Sequence, residues 1–106
     1  MAQTPEGAVK TWLKKELMKQ FPKMYVYMAP GGPFGKKGTP DMLCCMEGLF
    51  VAIEVKAKPE SELTEMQKYQ MKKLRSAGAI TAAVKGKDIK RLEQICDAVR
   101  ARAAND

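Results

Sequence analysis

Apolar side chains recur every three or four residues in three segments of the chain, which is the period of an amphipathic helix. We predict that the first helix follows an N-cap at Thr4 and ends at Phe21. The second begins at Thr64 and ends with Gly78 as its C-cap, and the third follows Asp88. The predicted buried faces carry Val9, Leu13 and Leu17 in the first helix; Met66, Tyr69 or Gln70, Leu74 and Ala77 in the second; and Ile89, Leu92, Ile95, Cys96 and Val99 in the third.

Four shorter segments are rich in apolar, β-branched and aromatic residues and predict strands. They cover residues 24–28, 42–46, 49–57 and 79–85. A loop of glycine, proline and lysine follows the first strand, and a polar loop follows the third. The predicted order is α-β-β-β-α-β-α, which is typical of an α/β protein. At 106 residues we expect one domain spanning residues 1–106.

The third predicted strand is apolar on both faces at its start and charged near its end. Because side chains alternate along a strand, its residues form two sets. Leu49, Val51, Ile53 and Val55 share one face, and Phe50, Ala52, Glu54 and Lys56 share the other. A strand that is apolar on both faces is expected at the centre of a sheet. Glu54 and Lys56 are then expected where the second face opens toward solvent.

The dipeptide Glu47-Gly48 precedes this strand and is typical of a two-residue hairpin turn. Pairing outward from such a turn brings Asp41 opposite Glu54, with Cβ atoms roughly 4.5–5.5 Å apart. Two facing carboxylates repel each other, so a cation between them is expected. Either Lys56 alone supplies that charge, or a divalent metal does, since Mg²⁺ and Mn²⁺ prefer oxygen ligands. A turn of another length would shift the register by one residue and remove the pairing.

The composition narrows the possible chemistry. The 19 basic and 12 acidic residues leave a net charge of +7, which suggests a polyanionic partner such as nucleic acid. The absence of histidine and of a CxxC pair argues against a histidine-based triad and a structural zinc site. Three cysteines indicate a reducing compartment, and at least one of Cys44 and Cys45 is expected in the core. Without an apolar leader or a long apolar run, we expect a cytoplasmic protein that does not enter a membrane.

Several lysines are candidates for contacts with DNA phosphates. The loop PGGPFGKKGT lacks the spacing GxxxxGK[ST], so we expect no nucleotide cofactor, but its two lysines are near the strand that carries Asp41. Solvated loop and helix faces are the alternative explanation for these charges. The candidate DNA-binding residues are Lys36, Lys37, Lys68, Lys72 and Lys85.

The letters PD at residues 40–41, followed by EVK at residues 54–56, resemble the PD-(D/E)XK nuclease signature. The wider pattern GTPD…GLFVAIEVKAKPESELTEMQKYQMKKLRSAGAITAAVKG resembles the VRR-NUC family, the virus-type replication-repair nucleases. Gln67 and the AG dipeptide before the last strand add to the match, which covers residues 6–86. The resemblance implies a restriction-endonuclease-like core, in which a small mixed central sheet is flanked by helices.

The same resemblance implies hydrolysis of a DNA phosphodiester with Mg²⁺ or Mn²⁺ as the cofactor. In the family pattern Asp41 and Glu54 hold the ion, and the main-chain carbonyl of Val55 adds a ligand. Lys56 would orient or help to activate the attacking water. These residue types suit the reaction, because phosphate hydrolysis needs a metal to acidify water and a cation near the developing charge.

Two more residues have both a structural and a catalytic interpretation. Gln67 completes a T-x-x-Q capping box with Thr64, and the family pattern also has a glutamine near the active site here. Glu6 lies two helical turns before Leu13, so we expect it on the buried face of the first helix. In the family a glutamate of this helix often completes the metal site. Glu16 is the competing carboxylate, about 80° away from that face.

The resemblance therefore predicts a metal-dependent, structure-selective DNA endonuclease. Stand-alone members of the family resemble Holliday-junction resolvases, so branched DNA is the expected substrate and a homodimer the expected assembly. A phage or prophage source is also suggested by the resemblance alone. The alternatives are a DNA-binding module that has kept the fold without catalysis, and a nuclease that acts on nicks, flaps or ends.

Overall fold

The computed structural model describes residues 3–30 and 37–105, and within them three helices and four strands follow one another in the predicted order. The α/β class and the order α-β-β-β-α-β-α are therefore confirmed. The elements are α1 (Pro5–Gln20), β1 (Tyr25–Met28), β2 (Met42–Met46), β3 (Leu49–Lys56), α2 (Glu65–Ser76), β4 (Ile80–Lys85) and α3 (Ile89–Ala104).

The four strands form one mixed sheet in the order β1-β2-β3-β4. The pairs β1 with β2 and β2 with β3 are antiparallel, as short connections allow, whereas β3 and β4 are parallel and are joined through α2. The strand β3 is thus interior, which explains why it is apolar on both faces. This confirms the prediction of a small mixed central sheet flanked by helices.

The hydrophobic core lies between one face of the sheet and the helices α1 and α3. Val9, Leu13 and Leu17 of α1 are buried, as their spacing predicted. They belong to one cluster with the inward residues of β3, which are Val51, Ile53 and Val55, and with Leu92, Ile95, Cys96 and Val99 of α3. Cys44 is in this cluster and Cys45 is exposed, so one of the two adjacent cysteines is core, as expected.

The predicted buried face of α2 is only partly right, since Gln70 and Leu74 are half-buried whereas Ala77 is exposed. Met66 and Tyr69 are exposed, and Met71 is the buried residue of this helix. The helix carries few apolar residues, so periodicity defines its rotation poorly, and the rotation is set by packing on β4, where Arg75 donates to the Thr81 hydroxyl at 3.0 Å. The C-cap is Ala77, and the glycine after it has φ +105°. In α3, Ile89 is exposed because it is the first helical residue, whereas its predicted partners are buried.

Candidate active site

The hairpin between β2 and β3 sets the register on which the predicted site depends. Glu47 and Gly48 have φ of 53° and 77°, and positive φ at both central residues is the condition for a type I′ turn. Met46 accordingly pairs with Leu49, and the ladder continues to the β2 residue that follows Asp41. One further step along this register brings Asp41 opposite Glu54, so the predicted cross-strand pairing is confirmed.

Asp41 lies immediately before the first residue of β2, and its side chain accepts a hydrogen bond from β3 in place of a main-chain partner. Its main-chain oxygen accepts a hydrogen bond from the Ala29 N–H at 2.8 Å, and its carboxylate Oδ2 accepts one from the Val55 N–H at 2.7 Å. The protonated carboxyl group of Glu54 is close enough to donate a hydrogen bond to this carboxylate, which lowers the pKa of Asp41. Asp41 therefore connects the beginning of β2 to the charged end of β3.

Glu54 is buried, with 2% of its surface exposed, so the expectation that this face opens to solvent at Glu54 is wrong. The cause is that α2, which connects β3 to β4, packs against both strands and covers this half of the face, an arrangement that depends on the parallel pairing of β4. Burial raises the pKa of Glu54 from 4.5 to about 9, reinforced by the hydrogen bond and the charge of Asp41. Its Oε2 atom has no hydrogen-bond partner among the described residues, which is costly for a buried carboxyl oxygen.

The pKa of Asp41 moves in the opposite direction. Burial would raise it, but the hydrogen bonds from Glu54 and the Val55 N–H, together with the ammonium of Lys10, hold it below its ordinary value. Lys10 Nζ lies 3.2 Å from Asp41 Oδ1. The pair therefore holds one proton, which stays on Glu54, while Asp41 carries the negative charge.

Lys10 also joins Glu6 to the site. Its Nζ lies 3.4 Å from Glu6 Oε2, one turn earlier on α1, and the two carboxylates of Glu6 and Asp41 hold the pKa of Lys10 above its ordinary value against the opposing effect of burial. The Glu6 side chain is 42% exposed, so the expectation of a buried position is wrong; the pairing with Lys10 keeps it at the rim. Its charge nevertheless contributes to the raised pKa of Glu54. The competing Glu16 pairs with Lys19 instead, at 3.0 Å.

Lys56 ends β3 on the same face as Glu54. Its positive charge lowers the pKa of Glu54, opposing the effect of burial, so the two lie within electrostatic reach. In the parallel register Lys56 pairs with Lys85, which brings two cations to this end of the face. Since neither takes part in an ion pair among the described residues, both are available for an anion.

The main-chain carbonyl of Val55 lies on the side of β3 that carries Asp41. In an extended strand the N–H and C=O of one residue point to the same side. The Val55 N–H points to Asp41, which precedes the first residue of β2, so the Val55 carbonyl points to the same side of β3. The carbonyl of Lys56 points the other way and accepts from the Gly86 N–H at 2.9 Å.

Gln67 acts as a cap in this structure. Its Oε1 accepts from the Thr64 N–H at 2.8 Å, and its own N–H donates to the Thr64 hydroxyl at 3.1 Å, which completes the predicted capping box. The first turn of α2 is nonetheless close to the segment before Asp41. A Cβ on Gly38 would lie 2.5 Å from the Met66 carbonyl oxygen and 3.1 Å from the Gln67 nitrogen. The absence of a side chain at Gly38 thus allows the backbone before Asp41 to lie against the backbone of Met66 and Gln67.

The oxygen-rich end of β3 fits a hard divalent cation. The unpartnered Oε2 of Glu54, the carboxylate of Asp41 and the Val55 carbonyl are ligand types that Mg²⁺ and Mn²⁺ prefer. Within the described residues, no three acidic, cysteine or histidine side chains converge as a complete metal cage. Mg²⁺ needs none, because it keeps several waters and uses one or two carboxylates together with substrate phosphate.

The predicted DNA-binding lysines are spread over the surface. Lys37 and Lys72 are exposed, Lys85 is half-buried beside Lys56, and Lys68 pairs with Glu65 at 3.5 Å. Lys36 lies outside the described residues.

Within the described residues, none of the helices combines the length and the hydropathy needed to cross a membrane.

Sequence reasoning missed Lys10 and Gly38. Lys10 follows Glu6 by four residues, so the pair lies on one helix face, and this spacing was the available signal. Gly38 belongs to the GTPD stretch, where a glycine so close to a candidate ligand is typical of a close approach of two backbones.

Two solved structures share this fold over nearly the whole chain. One, described as "VRR_NUC domain", superimposes with a TM-score of 0.72 at 22% identity and covers 90% of this chain and 97% of its own. Another, described as "VRR_NUC domain protein", has a TM-score of 0.66 at 19% identity and covers 95% of this chain and 89% of its own. No protein-family model and no curated protein matches the chain. At these identities the likeness shows the fold alone: the chain has the fold of VRR_NUC domains, as the sequence resemblance predicted.

Proposed function

We propose that this protein is a Mg²⁺- or Mn²⁺-dependent DNA endonuclease of the VRR-NUC type that hydrolyses phosphodiester bonds in branched DNA. The observation that carries the proposal is the pairing of Asp41 with a buried Glu54 whose Oε2 has no partner among the described residues. Two carboxyl groups in this arrangement are held at a cost that a divalent cation would remove. The fold shared with VRR_NUC domains supports the same assignment.

Each side chain has a defined task in this proposal. Asp41, Glu54 and the carbonyl of Val55 hold the ion, which supplies an acidified water and charge for a phosphate oxygen. Lys56, on the face of Glu54, holds the attacking water or the phosphate by hydrogen bonding from its ammonium group. Glu6 and Gln67 lie at the rim: the charge of Glu6 reaches Glu54, and the Nε2 group of Gln67 is not used by the cap.

Cleavage of a labelled four-way junction tests the proposal. We expect products with Mg²⁺ or Mn²⁺, none with EDTA, and a loss of at least about a hundredfold in rate for Asp41→Ala and Glu54→Ala. Nicked, flapped and linear DNA of matched sequence in the same assay identify a different preferred substrate. Junction binding without metal-dependent cutting of any of these DNAs contradicts the enzyme proposal and favours a binding module.

A homodimer belongs to the same proposal, because a two-fold pair would present two sites to two strands of a junction. Sedimentation equilibrium of the protein with and without a junction measures it. A monomer on the DNA at cleaving concentrations contradicts this part of the proposal and leaves the hydrolytic part intact.

A further inference from the structure

Within residues 3–30 and 37–105, one half of the outer sheet face is left uncovered, and it carries aromatic rings. The helices α1 and α3 pack on the opposite face, and the main contacts of α2 are with β4 and β3. On the uncovered half, Tyr25 is 71% exposed, Tyr27 50% and Phe50 46%. We call these three residues the aromatic face. Large apolar side chains exposed singly are ordinary on a protein surface, whereas rings exposed together on one surface mark an interaction site.

The strand register makes the aromatic face continuous with the candidate active site. Reading across the strands, one row contains Tyr25, Cys45 and Phe50, and the next contains Tyr27, Leu43 and Ala52. The third row contains Ala29, Asp41 and Glu54, since the Ala29 N–H donates to the Asp41 carbonyl. Rows two residues apart are separated by roughly 7 Å, so Tyr27 is one row from the carboxyl pair.

We propose that the aromatic face is a stacking platform for the bases of an unpaired DNA strand adjoining the carboxyl pair of Asp41 and Glu54. This inference rests on the proposed function, because it specifies the form of DNA at that site. Rings on neighbouring strands of an open sheet stack successive bases in known single-strand binding modules. The rings here lie roughly 7 Å apart along β1 and roughly 10 Å apart across to β3. Duplex bases, spaced about 3.4 Å apart and paired at their edges, do not offer free faces at that spacing.

The charges around the aromatic face favour an anionic strand as its occupant. The protein carries a net charge of +7, which favours an anionic partner for an open surface. Beyond the carboxyl row, Lys56 and Lys85 continue the same face with two cations. An unpaired strand lying along this face would place bases on the rings and phosphates toward the carboxyl row and the lysines.

Fluorescence anisotropy with a labelled single strand of thymidines, in EDTA and without divalent metal, tests the platform. We expect Tyr25→Leu/Tyr27→Leu to weaken single-strand binding by about tenfold to a hundredfold per ring, with a change of less than about threefold for a duplex of equal length. Because stacking releases no counterions, the dependence of affinity on salt should keep its slope. The variant Tyr27→Phe keeps the ring and should bind like the original protein.

Tyr69→Leu is the matched control, since Tyr69 is a similarly exposed ring on α2. Equal melting temperatures check that the variants fold, and Phe50→Leu replaces any that do not. Unchanged single-strand affinity, an equal loss for duplex, or the same loss in Tyr69→Leu overturns the proposal. Dissociation of a dimer by the double substitution, with single-strand binding kept, assigns the face to a second copy and overturns it also. Failure of the nuclease proposal is seen separately, as absent metal-dependent cutting by a protein that still binds the single strand through these rings.

Discussion

At the scale of single residues, Glu54 is where stability and the proposed function conflict most. It lies at a strand position where packing favours an apolar side chain, and burial keeps its proton on. Asp41 beside it is charged because Lys10 and the Val55 N–H stabilise the charge. A divalent cation would reverse the state of Glu54 by favouring its charged form. The protonation of Glu54 is therefore a measurable reporter of the site.

The first prediction concerns how stability depends on pH without metal. The unfolded chain loses the Glu54 proton near pH 4.5, whereas the folded chain keeps it to about pH 9. Between these values the unfolded state binds fewer protons, so the free energy of unfolding falls as pH rises, by at most about 1.4 kcal/mol per unit. Asp41, with its lowered pKa, acts only at more acid pH. Urea unfolding in EDTA from pH 5 to pH 9 measures the slope.

Glu54→Gln removes this proton and should flatten the curve, whereas Glu93→Gln on the exposed face of α3 should leave it as it is. Mg²⁺ should stabilise the original protein most at pH 8 and Glu54→Gln little. A slope that is the same in Glu54→Gln as in the original protein would show that the proton is not held at this residue.

The second prediction concerns Lys10, whose ammonium forms an ion pair with Asp41 Oδ1. A cation bound there competes with a divalent ion for the same carboxylate. We expect Lys10→Gln to tighten Mn²⁺ binding by a few-fold while lowering the stability of the metal-free protein by about 1 kcal/mol. Lys14→Gln, one turn later on an exposed position, changes the same charge without touching Asp41. Equal Mn²⁺ affinities in the two variants, measured by calorimetric titration, would contradict the competition.

The core of the site could be predicted from the sequence, and its surroundings could not. The glycine at the hairpin turn fixes a two-residue connection, and from it the pairing of Asp41 with Glu54 follows by counting. The burial of Glu54 depends on the parallel pairing of β4 and the position of α2, which local periodicity does not encode. The role of Lys10 depends on how α1 crosses the end of the sheet, which also requires the tertiary structure.

At the scale of elements, the segment before Asp41 is held against the first turn of α2. Gly38 has φ +79°, and its missing side chain allows the Met66 carbonyl to approach. The capping box of Thr64 and Gln67 in turn fixes that first turn. The position of Asp41 thus depends on a helix start that is distant in sequence. The rotation of α2 about its axis was the feature hardest to predict, since its buried residue Met71 lies outside the predicted buried face.

The third prediction separates close approach from backbone conformation. Gly38→Ala adds a Cβ 2.5 Å from a carbonyl oxygen at positive φ, and we expect it to destabilise by about 3 kcal/mol and to impair cleavage. Gly48→Ala has nearly the same φ, +77°, with no atom within 4 Å of its Cβ. It should cost about 1 kcal/mol and leave cleavage unchanged. Equal losses in the two variants, by chemical denaturation, would rule out a specific contact at Gly38.

The fourth prediction asks whether Gln67 is more than a cap. Thr64→Ala removes the cap and should cost about 1 kcal/mol of stability. The cap uses Oε1 and the main-chain nitrogen of Gln67, so its Nε2 group remains for a phosphate or water. We expect Gln67→Ala to lower the cleavage rate at least about tenfold more than Thr64→Ala, compared at equal folded fraction. Similar rates in the two variants would assign Gln67 to the helix start alone.

At the scale of the whole molecule, some lysines form ion pairs with carboxylates and others do not. Lys10, Lys19 and Lys68 are in ion pairs with carboxylates, whereas Lys56 and Lys85 lie side by side without an ion pair among the described residues. Two adjacent like charges at strand ends repel, so the arrangement costs stability unless an anion is bound. A DNA phosphate beyond the carboxyl row is the partner that this geometry and the net charge of +7 favour.

The last prediction follows from counterion release. A lysine that neutralises a phosphate contributes about one unit to the slope of log affinity against log salt. Lys85→Gln should therefore reduce that slope by roughly one on junction DNA, measured in EDTA between 50 mM and 200 mM salt. Lys19→Gln is the control of equal charge, because Glu16 already engages its ammonium and it lies roughly 14 Å along α1 from Lys10. If both substitutions reduce the slope equally, net charge alone governs binding, and Lys85 makes no particular phosphate contact.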